Sequence, residues 1–282
     1  MHKIFGKQLP TPRLLSPSDP LFQTSQMKRG VQQRKADEKK LEAIQKNIIA
    51  CVQSNDRKCI ENNMQRVNEV LYGKGVNMQA REEFLVKYGC TPYDGHILDR
   101  ILSFDRPIMD IGAGNGQWSR ALSDRIKEMA PKGKGKKIIT SDYVVAYDDG
   151  SAIPLNSEIY HKLTKPARDY FYNVQKMDGI SAVKQLKNRG KLLLLVYPPP
   201  GEMAIDLVKS YSEFPENDLI VFVGEGVGGA NGSISLFEYL KNVDKDGNAW
   251  VLLESMEVPA VQGGGKGFEK VFIFQKVQMK SK

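Results

Sequence analysis

The chain has 282 residues, with 41 Lys and Arg against 33 Asp and Glu, and 41% of its residues are apolar. This composition, with a mean hydropathy of −0.40, excludes collagen-like, coiled-coil and globally disordered classes. No run approaches the roughly 18 apolar residues of a membrane span, and we expect no secretory signal peptide. Three cysteines without a CxxC pair predict a reducing, cytoplasmic or nuclear environment and no metal site.

The positive charge is concentrated towards the amino terminus. Residues 1–90 hold 16 basic and 9 acidic side chains, whereas residues 91–282 hold 25 and 24, so the net charges are +7 and +1. A second basic run, Lys127–Lys137, has five lysines and one acid. Such runs are either solvated surface or contacts to phosphates, and residues 1–90 and Lys127–Lys137 are therefore the candidate contacts for a nucleic acid partner.

The first ninety residues divide into two segments. Residues 1–30 contain four prolines and no sustained periodicity, which predicts a flexible arm, although its acid-free start is faintly similar to an organelle-targeting segment. In residues 31–90, two apolar stripes at helical spacing predict a helical hairpin, and a shorter helix follows at Met78–Tyr88. Cys51 and Cys59 fall near those stripes, so we expect them to fill the core of this helical extension.

The main domain is predicted over residues 91–282. It opens with a helix for which Thr91 is the expected cap and Pro92 the first residue. Strands and helices then alternate. The predicted strands are Pro107–Ile111, Lys137–Asp142, Tyr170–Gln175, Lys191–Tyr197, Asp218–Gly224, Ala249–Val258 and Lys270–Val277. The predicted helices between them are Gln117–Met129, Ile180–Asn188, Glu202–Phe214 and Ser233–Asn242.

This alternation predicts an α/β sandwich around a seven-stranded, mostly parallel sheet. Two of the strands are continuously apolar, as strands covered on both faces should be. The last two strands are separated by a glycine-rich loop too short for a crossover helix, so we expect the final strand to be antiparallel.

A glycine loop after the first strand carries the strongest functional signal. Asp110 is the next-to-last residue of the strand, and glycines at every second position then lead into a helix. Glycine lets the backbone turn sharply and approach a ligand closely. In open α/β folds such a ligand lies at the carboxyl end of the strands. The candidate binding residues of the loop are Asp110, Gly112, Ala113, Gly114 and Gly116.

The loop could bind a dinucleotide or a cofactor that carries an ammonium group. A plain strand-to-helix turn that binds no ligand is a third interpretation. A dinucleotide site needs G-x-G-x-x-G, but Gln117 stands where the third glycine belongs. The carboxylate of Asp110 also suits an ammonium group better than phosphates. Asp142, predicted to close the second strand, could accept hydrogen bonds from two ribose hydroxyls.

Residues 107–277, about 60% of the chain, resemble the class I S-adenosylmethionine-dependent methyltransferases. The resemblance implies a Rossmann-like methyltransferase sandwich and S-adenosyl-L-methionine as cofactor. It implies that Asp110 and the three glycines form the first motif of the family and that Asp142 holds the ribose. It further implies that Asp178 contacts the adenine amine, with Met177 beside the ring.

The segment after the fourth strand is similar in place to the fourth motif of that family, Asp/Asn/Ser-Pro-Pro-aromatic. Tyr197 and Pro200 depart from the motif at its two ends. The resemblance implies that Pro198 and Pro199 form a rim beside the reactive methyl group and that Tyr197 supplies a phenol or a ring. A stiff loop with Tyr197 in the core is the alternative interpretation.

Five glycines in nine residues follow the fifth strand, and Glu225 among them is a candidate general base or substrate contact. His161 is expected to be an exposed loop residue. The resemblance implies a methyltransferase and does not indicate its acceptor, for which we expect a nucleic acid or protein slightly ahead of a small molecule. The alternatives are an inactive methyltransferase-like binding subunit acting through the basic extension, and an NAD(P)-dependent oxidoreductase.

Overall fold

The computed structural model describes residues 15–16, 19–20, 24–75, 78–129, 142–151, 172–264 and 268–279. The helices are α1 (Thr24–Gln53), α2 (Arg57–Tyr72), α3 (Met78–Tyr88), α4 (Gly95–Leu102), α5 (Gln117–Met129), α6 (Gly179–Lys184), α7 (Met203–Ser212) and α8 (Ile234–Lys241). The strands are β1 (Ile108–Ile111), β2 (Val144–Asp148), β3 (Val174–Lys176), β4 (Leu192–Val196), β5 (Leu219–Gly224), β6 (Asn248–Glu257) and β7 (Lys270–Gln278).

The seven strands form one sheet in the order β3-β2-β1-β4-β5-β7-β6. Strands β1 to β5 pair in parallel, whereas β7 is antiparallel to both of its neighbours, β5 and β6. The predicted fold class, a mostly parallel seven-stranded sheet with an antiparallel last strand, is therefore confirmed. Since β6 runs in the same direction as β1, the β6–β7 connection lies at the same edge as the carboxyl ends of β1 to β5.

The second strand is where the sequence-based prediction was wrong. Strand β2 is Val144–Asp148, paired with β1 so that Ile108 opposes Val144 and Ile111 opposes Tyr147. Asp142, predicted to close this strand, instead precedes it, and its carbonyl oxygen accepts a hydrogen bond of 2.8 Å from Lys191 Nζ. Both candidate segments end in an acid, but only Val144–Tyr147 is an uninterrupted apolar run, and this is the segment that pairs with β1.

Smaller differences concern the ends of elements. Strand β3 is three residues long and begins at Val174, later than predicted. The predicted helix Ile180–Asn188 is divided into α6 and a 3-10 turn, Leu186–Asn188. Helix α4 is capped by Asp94, whose Oδ1 accepts the Ile97 N–H at 2.9 Å, so Thr91 is not its cap. A carboxylate three residues closer to the helix provides the N-cap acceptor, and Pro92 stays outside the helix.

Two apolar layers cover the sheet. One contains Met109 and Ile111 of β1 together with side chains of α6, α7 and α8. The other contains Ile108 of β1 together with side chains of α4 and α5. Because neighbouring residues of a strand point to opposite faces, Asp110 lies on the face that α4 and α5 cover. The glycine loop therefore leaves a strand that is buried on both sides.

Helices α1 and α2 form the predicted hairpin and pack against each other. Helix α1 begins at Thr24, inside the segment predicted as an arm. Cys51 is buried, as expected, and Cys59 is half-buried, but a disulfide that the sequence did not predict joins the two. Pairing depends on how the two helices turn towards each other, which the spacing of the cysteines does not show. The pairing also removes the support that the cysteine count lent to a reducing compartment.

Helix α3, predicted as part of the helical extension, packs on the main domain instead. It contacts α5, and Arg81 Nη1 donates a hydrogen bond of 2.8 Å to the carbonyl of Gly263 in the β6–β7 connection. None of the described helices is long and apolar enough to cross a membrane.

Candidate cofactor site at the carboxyl edge of the sheet

The glycine loop is a compact turn anchored to β2. The N–H groups of Gly112 and Ala113 both donate to the carbonyl of Tyr147, at 2.9 and 3.1 Å. The Gly116 N–H closes the turn on the carbonyl of Ala113 at 2.9 Å, and α5 begins at the next residue. The loop is therefore held at the carboxyl end of β1, where the sequence predicted a ligand site.

The three glycines of the loop serve different purposes. All three have positive φ angles, +71° at Gly112, +56° at Gly114 and +80° at Gly116. A Cβ atom at Gly116 would lie 3.0 Å from Val174 Cγ2, so this glycine lets the loop pack against β3. A Cβ atom at Gly114 would meet no atom of the described residues within 4 Å. Among these residues, Gly114 therefore borders open space that a ligand could occupy.

Asp148, the last residue of β2, lies beside the loop where Asp142 was expected. Its Oδ2 accepts the Gly114 N–H at 2.9 Å, and its Oδ1 accepts the Gly150 N–H at 2.7 Å. Burial raises the pKa of the half-buried Asp148 carboxyl, while these two backbone hydrogen bonds act in the opposite direction. Sequence reasoning missed Asp148. The signal that could have found it is the uninterrupted apolar run Val144–Tyr147 directly before it.

Asp110 is buried under α5, with 1% of its surface exposed. Its Oδ2 accepts a hydrogen bond of 2.7 Å from Ser119 Oγ. Its Oδ1 is buried and accepts no hydrogen bond from the described part of the chain. Burial raises the pKa of Asp110 to about 7, the Ser119 hydrogen bond lowers it, and the nearby Asp148 carboxylate raises it further. Asp110 thus offers an acceptor that a cationic ligand or a water molecule would satisfy.

The raised pKa of Asp110 makes folding stability depend on pH. Between the ordinary value of 3.8 and about 7, the native state keeps a proton that the unfolded chain has lost. Stability therefore falls as pH rises through this window, by about 1.4 kcal/mol per unit. We expect urea unfolding to show that Asp110→Asn gains about 2 kcal/mol relative to the wild type between pH 5 and pH 7. Parallel pH profiles of the two proteins would contradict this.

Met177 and Asp178 follow β3 and adjoin the end of β2. The Met177 N–H donates to the carbonyl of Asp148 at 3.0 Å. Met177 and Asp178, the two predicted cofactor contacts, therefore lie next to Asp148. Asp178 caps α6, its Oδ1 accepting the Ser181 N–H at 2.9 Å. The hydrogen bonds from Ser181 lower the pKa of Asp178. A Cβ atom at Gly179 would lie 2.7 Å from Ile111 Cγ2, so this segment also packs against the end of β1.

The charge at this edge disfavours phosphates. A pyrophosphate on a glycine loop is bound by loop N–H groups, but the Gly114 N–H is already occupied by the carboxylate of Asp148. Asp149 and Asp178 add two further carboxylates, and each is close enough to raise the pKa of a neighbouring acid. A neutral or cationic ligand fits such an edge better than a dinucleotide.

The predicted fourth-strand residues form a bend at the same edge. Tyr197 has a φ of +52°, a left-handed conformation that is unusual for an aromatic residue. Its N–H donates to the carbonyl of Val223 at 2.7 Å, which continues the pairing of β4 with β5 by one residue. Pro198 is buried and Pro199 is exposed. Met203, at the start of α7, lies 3.8 Å from the position of a Cβ atom at Gly112, so this bend adjoins the glycine loop.

Asn231 ties the bend to the glycine-rich loop after β5. Its Nδ2 donates to the carbonyl of Pro198 at 3.2 Å, and its Oδ1 accepts the Glu225 N–H at 2.9 Å. The Oε2 of Glu225 in turn accepts the Ala230 N–H at 2.8 Å, which closes the loop on itself. Glu225 is 9% exposed. The structure gives this carboxylate a role in the loop, and its role as a general base stays a prediction. Sequence reasoning did not single out Asn231.

The predicted site residues are thus brought together with one exception, Asp142, which lies at the opposite end of β2. His161 and most of Lys127–Lys137 lie outside the described residues. Within the described ranges, no group of three or more His, Cys, Asp or Glu side chains could hold a metal ion.

Comparison with known proteins gave matches among solved structures only. No family model matches the chain, and no curated protein does. The 23S rRNA methyltransferase ErmE is 14% identical, with a TM-score of 0.35, over 68% of this chain and 72% of that one. The magnesium protoporphyrin IX methyltransferase ChlM from Synechocystis PCC 6803, solved with bound SAM, is 12% identical over 65% and 79%, with a TM-score of 0.35.

The ribosomal protein L11 methylase from Lactobacillus delbrueckii subsp. bulgaricus is 15% identical over 64% of this chain and 74% of that one, with a TM-score of 0.32. At such identities and TM-scores, no role in this site is assigned from these proteins. The fold is instead established by the strand order and by the direction of β7.

Proposed function

We propose that the chain binds S-adenosylmethionine at the glycine loop and transfers its methyl group to an acceptor at the ends of β4 and β5. The observation that carries this proposal is the contact between Asp148 and the Gly114 N–H beside the open space at Gly114. A carboxylate there excludes a pyrophosphate and leaves an acceptor for hydroxyl groups. S-adenosylmethionine has a ribose and an ammonium group, and it has no phosphate.

The residues at this edge fit that cofactor part by part. Asp148, at the end of β2, would accept hydrogen bonds from the ribose hydroxyls in place of Asp142. Met177 is linked to Asp148 through the backbone and would lie against the adenine, with the exposed Asp178 carboxylate near its amine. Asp110 Oδ1 is buried and accepts no hydrogen bond from the described residues, so it would accept one from the ammonium group.

S-adenosylmethionine would supply a methyl group that is already activated by its sulfonium, so the protein has mainly to align the acceptor. The bend at Tyr197 supplies that alignment. Backbone pairing holds Tyr197 to β5, and Asn231 fixes the direction of the Pro198 carbonyl. Pro198 and Pro199 would form the rim of the acceptor site. Since Asn231 occupies one lone pair of the Pro198 carbonyl, this oxygen has one lone pair left for an acceptor group.

Isothermal calorimetry with the full chain tests the proposal. We expect S-adenosylmethionine and S-adenosylhomocysteine to bind in the micromolar range, and NADH and NADPH to give no heat. Binding of NADH with no binding of S-adenosylmethionine would overturn the proposal in favour of an oxidoreductase. Binding of neither cofactor would leave the fold without this function.

A further inference from the structure

Helix α3 is attached directly to the glycine loop. Gln117 is the first residue of α5, immediately after the turn, and is 7% exposed. Its Nε2 donates a hydrogen bond of 3.0 Å to the carbonyl of Leu85 in the last turn of α3. A Cβ atom at Gly89, which ends α3, would lie 3.2 Å from Gln117 Oε1. Gln117, the residue that departs from the dinucleotide motif, therefore holds the carboxyl end of α3 by a hydrogen bond.

The next residue makes a second attachment. Trp118 Nε1 donates to the carbonyl of Thr91 at 2.8 Å, in the connection between α3 and α4. The rings of Tyr93 and Trp118 are in edge contact at 5.3 Å, and those of Tyr88 and Tyr93 at 5.0 Å. Both residues that directly follow the glycine turn thus hold the carboxyl end of α3, and a shift of the turn would be transmitted to that helix.

The other end of α3 is attached across the sheet edge. Arg81 Nη1 bonds to the carbonyl of Gly263, and a Cβ atom at Gly263 would lie 2.2 Å from the carbonyl oxygen of Ala80. Only a glycine allows the β6–β7 connection to approach α3 so closely. Since this connection and the glycine loop lie at the same edge, α3 spans that edge from β1 towards β7. Glu225 and Glu269, at the ends of β5 and β7, are both buried.

We propose that Gln117 is a positioning residue that couples the glycine loop to α3, so that a ligand on the loop also orders α3 over the acceptor edge. This inference rests on the proposed cofactor. At the carboxyl edge, the ends of β1 and β2 are exposed at Gly112 and Asp149, whereas Gly263 and Gly264 of the β6–β7 connection are buried where they meet α3. Coupling of this kind would complete the acceptor site only once the methyl donor is in place.

Hydrogen exchange of the full chain with and without S-adenosylmethionine tests the coupling. In the wild type, we expect the ligand to slow amide exchange in residues 111–116 and equally in α3. In Gln117→Leu, which keeps an apolar side chain of similar size but removes the donor, slowing should persist in 111–116 and become clearly smaller in α3, where the Trp118 bond remains. Affinity should fall about fivefold, the effect of one hydrogen bond. Gln79→Leu is the matched control, because Gln79 is an exposed residue of α3 that bonds to Glu83 on the same helix.

The outcomes separate the two proposals. Ligand binding that leaves exchange of α3 unchanged in the wild type overturns the coupling and leaves the proposed function standing. The same holds if α3 is slowed as much in a folded Gln117→Leu as in the wild type. No binding of the ligand to the wild type overturns both proposals. Should Gln117→Leu fail to fold, the wild-type comparison alone decides between these results.

Discussion

Asp148→Asn is expected to weaken S-adenosylmethionine binding about 100-fold in calorimetry, corresponding to about 2.7 kcal/mol. A charged acceptor contributes about 1.5–3 kcal/mol for each hydrogen bond, and the ribose offers two hydroxyl donors. The substitution also replaces one of the two oxygens that accept the Gly114 and Gly150 N–H groups by an amide nitrogen. Loss of the hydrogen bonds to the ribose and loss of order in the loop therefore both lower the affinity.

Asp142→Asn is the control for this experiment. Asp142 is exposed at the amino end of β2, so the substitution should leave the affinity unchanged within a factor of two. The two variants have identical chemistry and lie six positions apart, at opposite ends of one strand. The reverse result, a large effect at 142 and none at 148, would show that the pairing of β2 with β1 is wrong.

Gly114→Ala is expected to reduce S-adenosylmethionine affinity by about 100-fold or more while the protein stays folded. The added methyl group meets no atom of the described part of the chain within 4 Å, so the cost seen there is only that of the left-handed backbone, on the order of 1–2 kcal/mol. It does, however, fill the space in which a ligand would approach the loop. Affinity by calorimetry and stability by thermal unfolding are measured on the same samples.

Gly75→Ala supplies the matched control. Gly75 also has a positive φ, +81°, and its Cβ atom would likewise meet no described residue within 4 Å, but it lies between α2 and α3. Both variants should lose comparable stability, and only Gly114→Ala should lose affinity. Equal affinities for the two variants would show that no ligand approaches the loop at Gly114.

These experiments concern the accessible half of the carboxyl edge, and the other half is built differently. At the ends of β4 and β5, Asn231 bonds to Glu225 in its own loop and to Pro198 in the bend after β4, and Tyr197 is held in an unusual backbone conformation. Such conformations persist only where the surroundings impose them, and they are frequent in active sites. An acceptor would therefore meet a shaped and rigid surface at Pro198, while the cofactor half depends on a loop that is anchored to β2.

Much of this architecture could be predicted from local pattern. The apolar runs Leu192–Val196 and Leu219–Gly224 mark strands covered on both faces, and the structure buries them as expected. The short connection between the last two strands required an antiparallel pair, which β6 and β7 form. The glycine spacing after Asp110 placed a turn and a helix start at the correct residues, because positive φ angles and the start of α5 are local properties.

Residues whose role depends on a distant partner could not be predicted in this way. Asp142 and Asp148 each end a candidate strand, and the register with β1 shows which of the two acids reaches the glycine loop. Gln117 was recognised as a departure from the dinucleotide motif, but its partner Leu85 lies 32 positions earlier in the chain. Asn231 bonds to a carbonyl 33 positions away, and no pattern near it in the sequence indicates that contact.

The sequence by itself therefore determined the alternation of elements, the antiparallel end of the sheet and the turn at Gly112–Gly116. These follow from hydrophobic periodicity and from backbone conformation, which are set within a few neighbouring residues. Only the tertiary structure decided that Asp148 serves the loop, that α3 belongs to the sheet domain and that Asn231 joins two loops. Strand register and side-chain hydrogen bonds bring distant positions together, and their energies come from the packed state as a whole.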